Sequence, residues 1–383
     1  MSVTAAAGFR AAGATAGLKP SGQPDVALVV NDGPDDAAAA LFTSNRCKAN
    51  PVLWSEQACA DGRLSAVLLN SGGANCYTGP QGFATTHGAA EKVAGLLGVG
   101  AAEVAVCSTG LIGTQLDRAK LYAGIEAADA ELAEDGGPDA ATAIMTTDTV
   151  PKQAVAEGDG WLVGGMAKGA GMLAPGMATM LVVLTTDAVV DSAVLDSALR
   201  SATRRTFDRL DSDGCMSTND TVLLMSSGAA GSRPDPQHFT AAVAAVCHDL
   251  TMQLLTDAEG SAHDIAITVC GAADEPDALE VGRAIARNNL FKCAVYGQDP
   301  NWGRVLAAVG TTRAEFDPTD LDIAINGVRV CSAGLPGEPP EKVDLSGRDV
   351  EVVVNLKSGT ATATIWTNDL TEAYVQENSA YST

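Results

Sequence analysis

The residues of this chain best suited to do chemistry lie in one segment, Lys168-Gly-Ala-Gly-Met-Leu-Ala-Pro-Gly-Met-Ala-Thr-Met180. It joins two strand-like runs and packs Gly169, Gly171, Pro175 and Gly176 ahead of Thr179. Glycines beside a strand mark a strained turn or a backbone lying close to a ligand. A threonine at the mouth of such a turn becomes a nucleophile if the bond before it breaks, because its own α-amine can then activate it. At Ala178–Thr179 the hydroxyl would attack the preceding carbonyl and pass through a tetrahedral oxyanion to an ester. Water would then release the new N-terminus. The freed amine, with an ordinary pKa of roughly 7.7–8.0, is a base near working pH. No histidine is required. The four present, His87, His238, His248 and His263, show neither H-E-x-x-H nor a Cys/His zinc spacing. By itself the segment is equally well read as a glycine-rich turn with Thr179 as a plain strand residue. A dinucleotide loop is excluded, although Gly169-Ala-Gly171-Met-Leu-Ala174 has the G-x-G-x-x-A pattern. Pro175 and Gly176 forbid the helix that must follow, and the next strand leaves no room for a crossover.

Four other clusters could serve such a nucleophile. Cys107-Ser-Thr-Gly-Leu-Ile-Gly113 directly follows a strand-like run, so Thr109 and Gly110 offer a hydroxyl and a backbone N–H side by side. Two such donors can hold an oxyanion, and losing one costs about 2.7–4 kcal/mol in the transition state. Ile144-Met-Thr-Thr-Asp-Thr-Val-Pro-Lys152 ends an apolar helix in hydroxyls, which commonly cap or turn a chain. Thr256-Asp-Ala-Glu-Gly-Ser-Ala-His263 puts acids at a helix C-terminus, where the dipole disfavours them. Glu377-Asn-Ser-Ala-Tyr-Ser-Thr383 is the chain terminus, a place that ordinarily frays.

The elements that must position these groups are mixed. Strand-like runs occupy 26–30, 38–42, 66–69, 104–107, 161–163, 179–184, 221–225 and 265–269, with 321–325, 350–356 and 362–366 reading as a meander near the end. Helical periodicity covers 83–97, 117–131, 140–145, 192–207, 239–257 and 277–287, and a short apolar run follows at 291–295. Without strict βαβ alternation the fold class is α+β with mixed sheets rather than doubly wound. Aromatics are only 4% of 383 residues, so the core must be built from Ala, Val, Leu and Ile. Asp and Glu number 47 against 24 Lys and Arg, and the net charge of −23 argues against nucleic acid or an anionic membrane as partner. Nine scattered cysteines without a C-x-x-C pair read as reduced thiols of a cytoplasmic protein. No secretory signal or membrane span is expected.

The segment around Thr179 resembles the self-cleavage motif of the ArgJ family, the ornithine acetyltransferases. The likeness extends through Met145-Thr-Thr-Asp148, 207–220 (Phe-Asp-Arg-Leu-Asp-Ser-Asp-Gly-Cys-Met-Ser-Thr-Asn-Asp), 296–304 (Tyr-Gly-Gln-Asp-Pro-Asn-Trp-Gly-Arg) and the Asn-Ser-Ala-Tyr-Ser-Thr end. The resemblance implies a four-layer α/β/β/α sandwich of the DmpA/ArgJ type. It implies cleavage between Ala178 and Thr179 into an α chain (1–178) and a β chain (179–383), two of each associating as a heterotetramer. It further implies Thr179 as nucleophile, Thr109 and Gly110 as the oxyanion hole, and Thr146, Lys168, Thr179, Glu259, Asn378 and Thr383 as substrate-binding residues, with Thr147 a close rival to Thr146. The expected activity is transfer of acetyl from N2-acetylornithine to glutamate, with no metal, nucleotide or flavin cofactor. Acetyl-CoA as a further donor stays open. So does an N-terminal-nucleophile peptidase or amidase of related fold, which would share the threonine but not the Lys168/Glu259 pair.

Overall fold

The computed structural model describes residues 2–174 and 180–380. In chain order its first half contains β1 (Phe9–Ala14), β2 (Val26–Asn31), β3 (Ala38–Phe42), α1 (Asn50–Ala58), β4 (Ala66–Asn70), α2 (Gly79–Leu97), β5 (Val104–Ser108), α3 (Arg118–Ala130), α4 (Gly137–Ala143), β6 (Lys152–Glu157) and β7 (Leu162–Lys168). The second half contains β8 (Leu181–Thr186), α5 (Ser192–Thr203), β9 (Thr221–Ser226), α6 (Pro236–Thr256), β10 (Asp264–Ala272), α7 (Glu275–Ala286), α8 (Asn289–Tyr296) and α9 (Trp302–Val309). It closes with β11 (Asp322–Ile325), β12 (Val328–Ser332), β13 (Leu335–Pro336), β14 (Asp349–Asn355), β15 (Ala361–Asn368) and α10 (Glu372–Ala380).

Two sheets, ordered β1-β2-β4-β5 and β3-β9-β8-β7-β6, lie face to face. The two-residue period of their strands explains why. In β4, Val67 and Leu69 enter the core between the sheets, while Ala66 and Leu68 enter the core under α2 and α3. In β8, Leu181 and Val183 face the first sheet, and Val182 and Leu184 pack on α5 and α6. Both faces are covered, so the strands read as continuous apolar runs rather than as alternation. The result is the expected α/β/β/α sandwich, with α2 and α3 outside one sheet and α5 and α6 outside the other.

A third sheet, β13-β12-β11-β14-β10-β15, adds to that plan and packs its own core against α7, α8 and α9. The final strands are therefore not a meander. β10 sits between β14 and β15, parallel to the first and antiparallel to the second. The apolar run at 291–295 is part of α8, capped by the Asn288 side chain accepting the Phe291 N–H at 3.0 Å. The helix expected over 140–145 begins earlier, at Gly137, with Pro138 in its first turn. The helix expected to reach 207 stops at Thr203, and a separate 3-10 turn covers Phe207–Arg209. Among the described helices, α6 alone is long and apolar enough to cross a membrane. Here Phe239, Val243, Val246, Leu250 and Leu254 bury that apolar face against the second sheet, which makes it a core helix.

Candidate active site

The ends of three paired strands fix the site. Lys168, the last residue of β7, pairs with Leu181, the first of β8, and Leu181 in turn pairs with Thr221 at the start of β9. The 169–180 connection and the residues before β9 thus emerge at one edge of the second sheet. Asn219 stitches that edge to the first sheet, donating from Nδ2 to the carbonyls of Ala74 at 2.7 Å and Ser108 at 2.8 Å. Beside this junction lies a cavity of about 90 Å3. Thr109, Gly110, Thr146, Lys168, Glu259 and Asn378 all line it, so every described residue singled out in the sequence for catalysis or binding is brought together. Thr147 lines it as well, and the cavity does not choose between the two threonines. Ala178, Thr179 and Thr383 lie outside the described residues.

Thr109 is pinned on both sides of its peptide: its N–H donates to Asn70 O at 2.9 Å, and its carbonyl accepts from Gly73 N–H at 2.9 Å. The next residue turns with φ +124°, and a Cβ at Gly110 would meet Gly73 N at 2.9 Å, so only glycine fits without strain. Among the described residues, the Gly110 N–H has no acceptor. The Thr109 hydroxyl accepts from Lys168 Nζ at 3.2 Å, which leaves its own proton available to a ligand. Among the described residues, a hydroxyl proton and an N–H therefore have no acceptor at adjacent positions, with a cation behind one of them.

Lys168 is only 2% exposed. Burial pulls its pKa down, and Asp148 is the leading charge that opposes the fall. Asp148 accepts from Gly169 N–H at 2.6 Å, Thr146 N–H at 2.9 Å and Lys152 Nζ at 2.7 Å. Burial alone would raise its pKa, but Lys168 and Lys152 outweigh that and hold it at about 2. Lys152 also pairs with Asp257 at 2.5 Å, just beyond the end of α6, and Asp257 accepts the Thr149 N–H at 3.0 Å. This buried network locks the 146–149 turn, the end of β7 and the approach to Glu259 into one unit. Sequence reasoning missed Lys152 and Asp257, because a salt bridge between residues 105 positions apart leaves no local spacing to read.

A test of that network is Lys152→Met. It strands two carboxylates in the interior, and breaking such a buried pair typically costs about 3–5 kcal/mol. A fall of that size in denaturant-measured stability is expected, and an unchanged midpoint would refute the assignment. Acid should act on the same cluster. The folded pKa of Asp148, about 2, lies below its ordinary 3.8. Its ionised form therefore stabilises the fold above pH 3.8, and that contribution disappears as pH falls from there toward 2. Asp148→Asn should flatten the acid limb of the stability curve in this window.

Glu259 backs the glycine-rich turn. Its N–H donates to Ala170 O at 3.0 Å, and a Cβ added to Gly171 would lie 2.6 Å from both carboxylate oxygens. Asn378 arrives on α10, whose docking depends on another glycine. Gly260 has φ +61°, and a Cβ there would stand 2.2 Å from Tyr374 N. Thr371 Oγ1 ties the same region down by donating to Gly260 O at 2.5 Å. Ser217, Thr218 and Asn219 also line the cavity. They belong to the 207–220 stretch that supported the family likeness without an assigned role. Asp220 completes it: its side chain is wholly buried, and Oδ1 accepts from Met180 N–H at 3.1 Å. The hydroxyls of Ser217 and Thr43 lie near the carboxyl, but neither makes a hydrogen bond to Oδ2. Burial raises the pKa of Asp220 well above its ordinary value, which weakens the negative charge behind the residue that follows Thr179.

The chain matches a known family. The model of the ArgJ family matches residues 10–383. The arginine biosynthesis bifunctional protein ArgJ of Streptomyces coelicolor is 64% identical over 382 residues, covering 100% of both chains. The protein of the same name from Thermobifida fusca is 61% identical over 383 residues, again covering 100% of both. Among solved structures, a chain of the ornithine acetyltransferase of Mycobacterium tuberculosis complexed with ornithine is 57% identical and covers 47% of this chain and 96% of its own, with a TM-score of 0.45. The chain belongs to the ArgJ family, the acetyltransferases of arginine biosynthesis.

Proposed function

We propose that this enzyme is a glutamate N-acetyltransferase that carries acetyl from N2-acetylornithine to glutamate on Thr179, after cutting its own chain between Ala178 and Thr179. The α chain would then be 1–178 and the β chain 179–383, assembled two and two. The observation that carries the reading is the gathering of Thr109, Gly110, Thr146, Lys168, Glu259 and Asn378 around one small cavity at the end of the segment leading to Thr179. In the first half-reaction the Thr179 hydroxyl attacks the acetyl carbonyl, its proton passing to the α-amine of the same residue. Thr109 and Gly110 hold the oxyanion, and Lys168, bonded to the Thr109 hydroxyl, supports it. Collapse expels ornithine, which takes the proton, and leaves an acetyl ester. Glutamate then attacks that ester by the reverse sequence, so the kinetics are ping-pong. The half-buried Glu259 carboxylate suits a substrate amine, and the hydroxyls of Thr146 or Thr147 with Asn378 suit the amino-acid part common to both substrates. Relatives named bifunctional support acetyl-CoA as a second acetyl donor here.

The test is to mix enzyme with acetylornithine and measure ornithine release with and without glutamate. Glutamate-dependent release supports transfer. Release at the same rate without glutamate makes the protein an amidase. Gly171→Ala probes the binding half of the site. Its methyl must displace the Glu259 carboxylate, and strain of this kind should raise KM for acetylornithine roughly tenfold, about 1.4 kcal/mol, with kcat little changed. An unaltered KM would remove Glu259 from substrate binding.

A further inference from the structure

In a chain with nearly twice as many acids as bases, Arg204, Arg209, Arg283 and Arg287 converge on one cavity of about 470 Å3. They come from the residue after α5, the 3-10 turn at Phe207–Arg209, α7 and the residue just beyond it. Among the described residues, two carboxylates, Asp208 and Glu275, share the lining. Arg209 pairs with Glu275 at 2.6 Å, and Arg287 with Asp211 at 2.8 Å. Among the described residues, neither Arg204 nor Arg283 forms a direct salt bridge, and Arg283 Nε has no hydrogen-bond partner. Both guanidinium groups line the cavity outside any direct ion pair, Arg283 donating from Nη2 to the Asp208 carbonyl at 3.3 Å. This cavity and the candidate active site share one stretch of chain. Met216 lines the arginine cavity, and the next residue, Ser217, lines the cavity that holds Thr109 and Lys168. Arg287 grips the same stretch of chain through Asp211, and its Cγ lies 3.7 Å from where a Cβ of Gly214 would be.

A protein of net charge −23 repels polyanions, so a polyanionic donor needs a local field of the opposite sign. Arginine meets phosphate oxygens with a planar, two-pronged fork and is the residue suited to that task. The cavity proposed for the amino-acid substrates has none of these arginines in its lining. We propose that the arginine cavity is a phosphate-ester site that holds the phosphorylated nucleotide end of a coenzyme A thioester while its acyl end reaches past Met216 toward Thr109 and Lys168. This rests on the reading that acetyl-CoA is a second donor.

The experiment separates the two claims. Binding of adenosine 3′,5′-bisphosphate to the full-length processed enzyme is measured by calorimetry, with adenosine and inorganic phosphate as comparisons. The bisphosphate should bind, weaken as salt is raised, and lose roughly tenfold or more in affinity in Arg204→Gln and in Arg283→Gln. Arg204 is exposed, so its variant folds normally even if the other does not. Both variants should exchange acetyl between acetylornithine and glutamate at the wild-type rate, while KM for acetyl-CoA rises and kcat holds. No binding by wild type, or unchanged binding in the Arg204 variant, overturns the site. Competition by inorganic phosphate as strong as by the bisphosphate overturns the coenzyme assignment. Bisphosphate binding without any transfer from acetyl-CoA keeps the site and removes the second donor.

Discussion

Thr179→Ala should run as a single band near 38.8 kDa on a denaturing gel and should transfer no acetyl group. Wild type should give two bands of about half that size, because a cut at 178–179 divides the 383 residues almost evenly. One substitution removes two events that need the same oxygen: the attack on the Ala178 carbonyl that frees the amine, and the attack on the acetyl group that follows. A residue with neither hydroxyl nor free amine supports neither step. The surroundings fit a chain held for such a cut. Lys168 and Leu181 are locked opposite each other in β7 and β8, and Met180, directly after the proposed nucleophile, donates its N–H to the buried Asp220 carboxyl at 3.1 Å. The chain from Met180 onward, beyond the proposed cut, is thereby fixed to rigid structure, which favours an intramolecular attack. Thr179→Ser keeps a hydroxyl and should still be processed, more slowly. Two bands from Thr179→Ala would place the cut elsewhere. Full-rate exchange by an unbroken wild-type chain would remove the α-amine from the chemistry altogether.

The layers were legible because their signal is local. Val67 and Leu69 on one face, with Ala66 and Leu68 on the other, announce a strand buried twice, and the run was long enough to read. β1 was not legible for the opposite reason. Its sequence, Phe-Arg-Ala-Ala-Gly-Ala, has weak strand propensity, and Gly13 stands there because a Cβ would lie 2.2 Å from Asp139 O on α4. That glycine answers to a contact 126 residues away, which no window can see. The third sheet was misjudged likewise: β10, β11, β14 and β15 were found, β12 and β13 were not, and the insertion of β10 between β14 and β15 is a long-range choice. Around the cavity, residues that the family likeness named come together, and those that matter only through a distant partner were missed. Thr109, Lys168 and Glu259 sit in glycine-rich or dipole-mismatched segments that stand out. Lys152 and Asp257 lie in the 144–152 and 256–263 stretches, but only their meeting at 2.5 Å in the interior gives them meaning.

Removing the Thr109 hydroxyl should produce the second large effect. Thr109→Val keeps the shape of a residue that is 5% exposed, so the fold should survive. The lost donor is one of two proposed to meet the oxyanion, and such a loss typically costs about 2.7–4 kcal/mol, or roughly 10² to 10³ in kcat. KM should hardly move, because the interaction strengthens only as the carbonyl oxygen acquires charge. Lys168 decides how severe the loss is. Its Nζ now donates to Thr109 Oγ1 at 3.2 Å, and in the valine variant that buried cation loses its acceptor. It can then turn toward the oxyanion itself and recover part of the loss, or fall to the neutral form that burial favours. The pH profile of kcat tells these apart. A cation that replaces the hydroxyl should make the rate fall at high pH as the ammonium deprotonates, a limb that weakens in Thr109→Val/Lys168→Met. Gly110→Ala attacks the second donor by a different route, since its Cβ would collide with Gly73 N at 2.9 Å and swing the N–H out of line. If the two donors hold one oxygen, Thr109→Val/Gly110→Ala should lose less than the product of the single losses, because a half-broken hole already fails to orient the acetyl group. Rates are compared per processed chain, counted by intact mass. A fully processed Thr109→Val enzyme with wild-type kcat would show that the oxyanion is held elsewhere, and the pairing of Thr109 with Gly110 would then be only a way to turn the chain after β5.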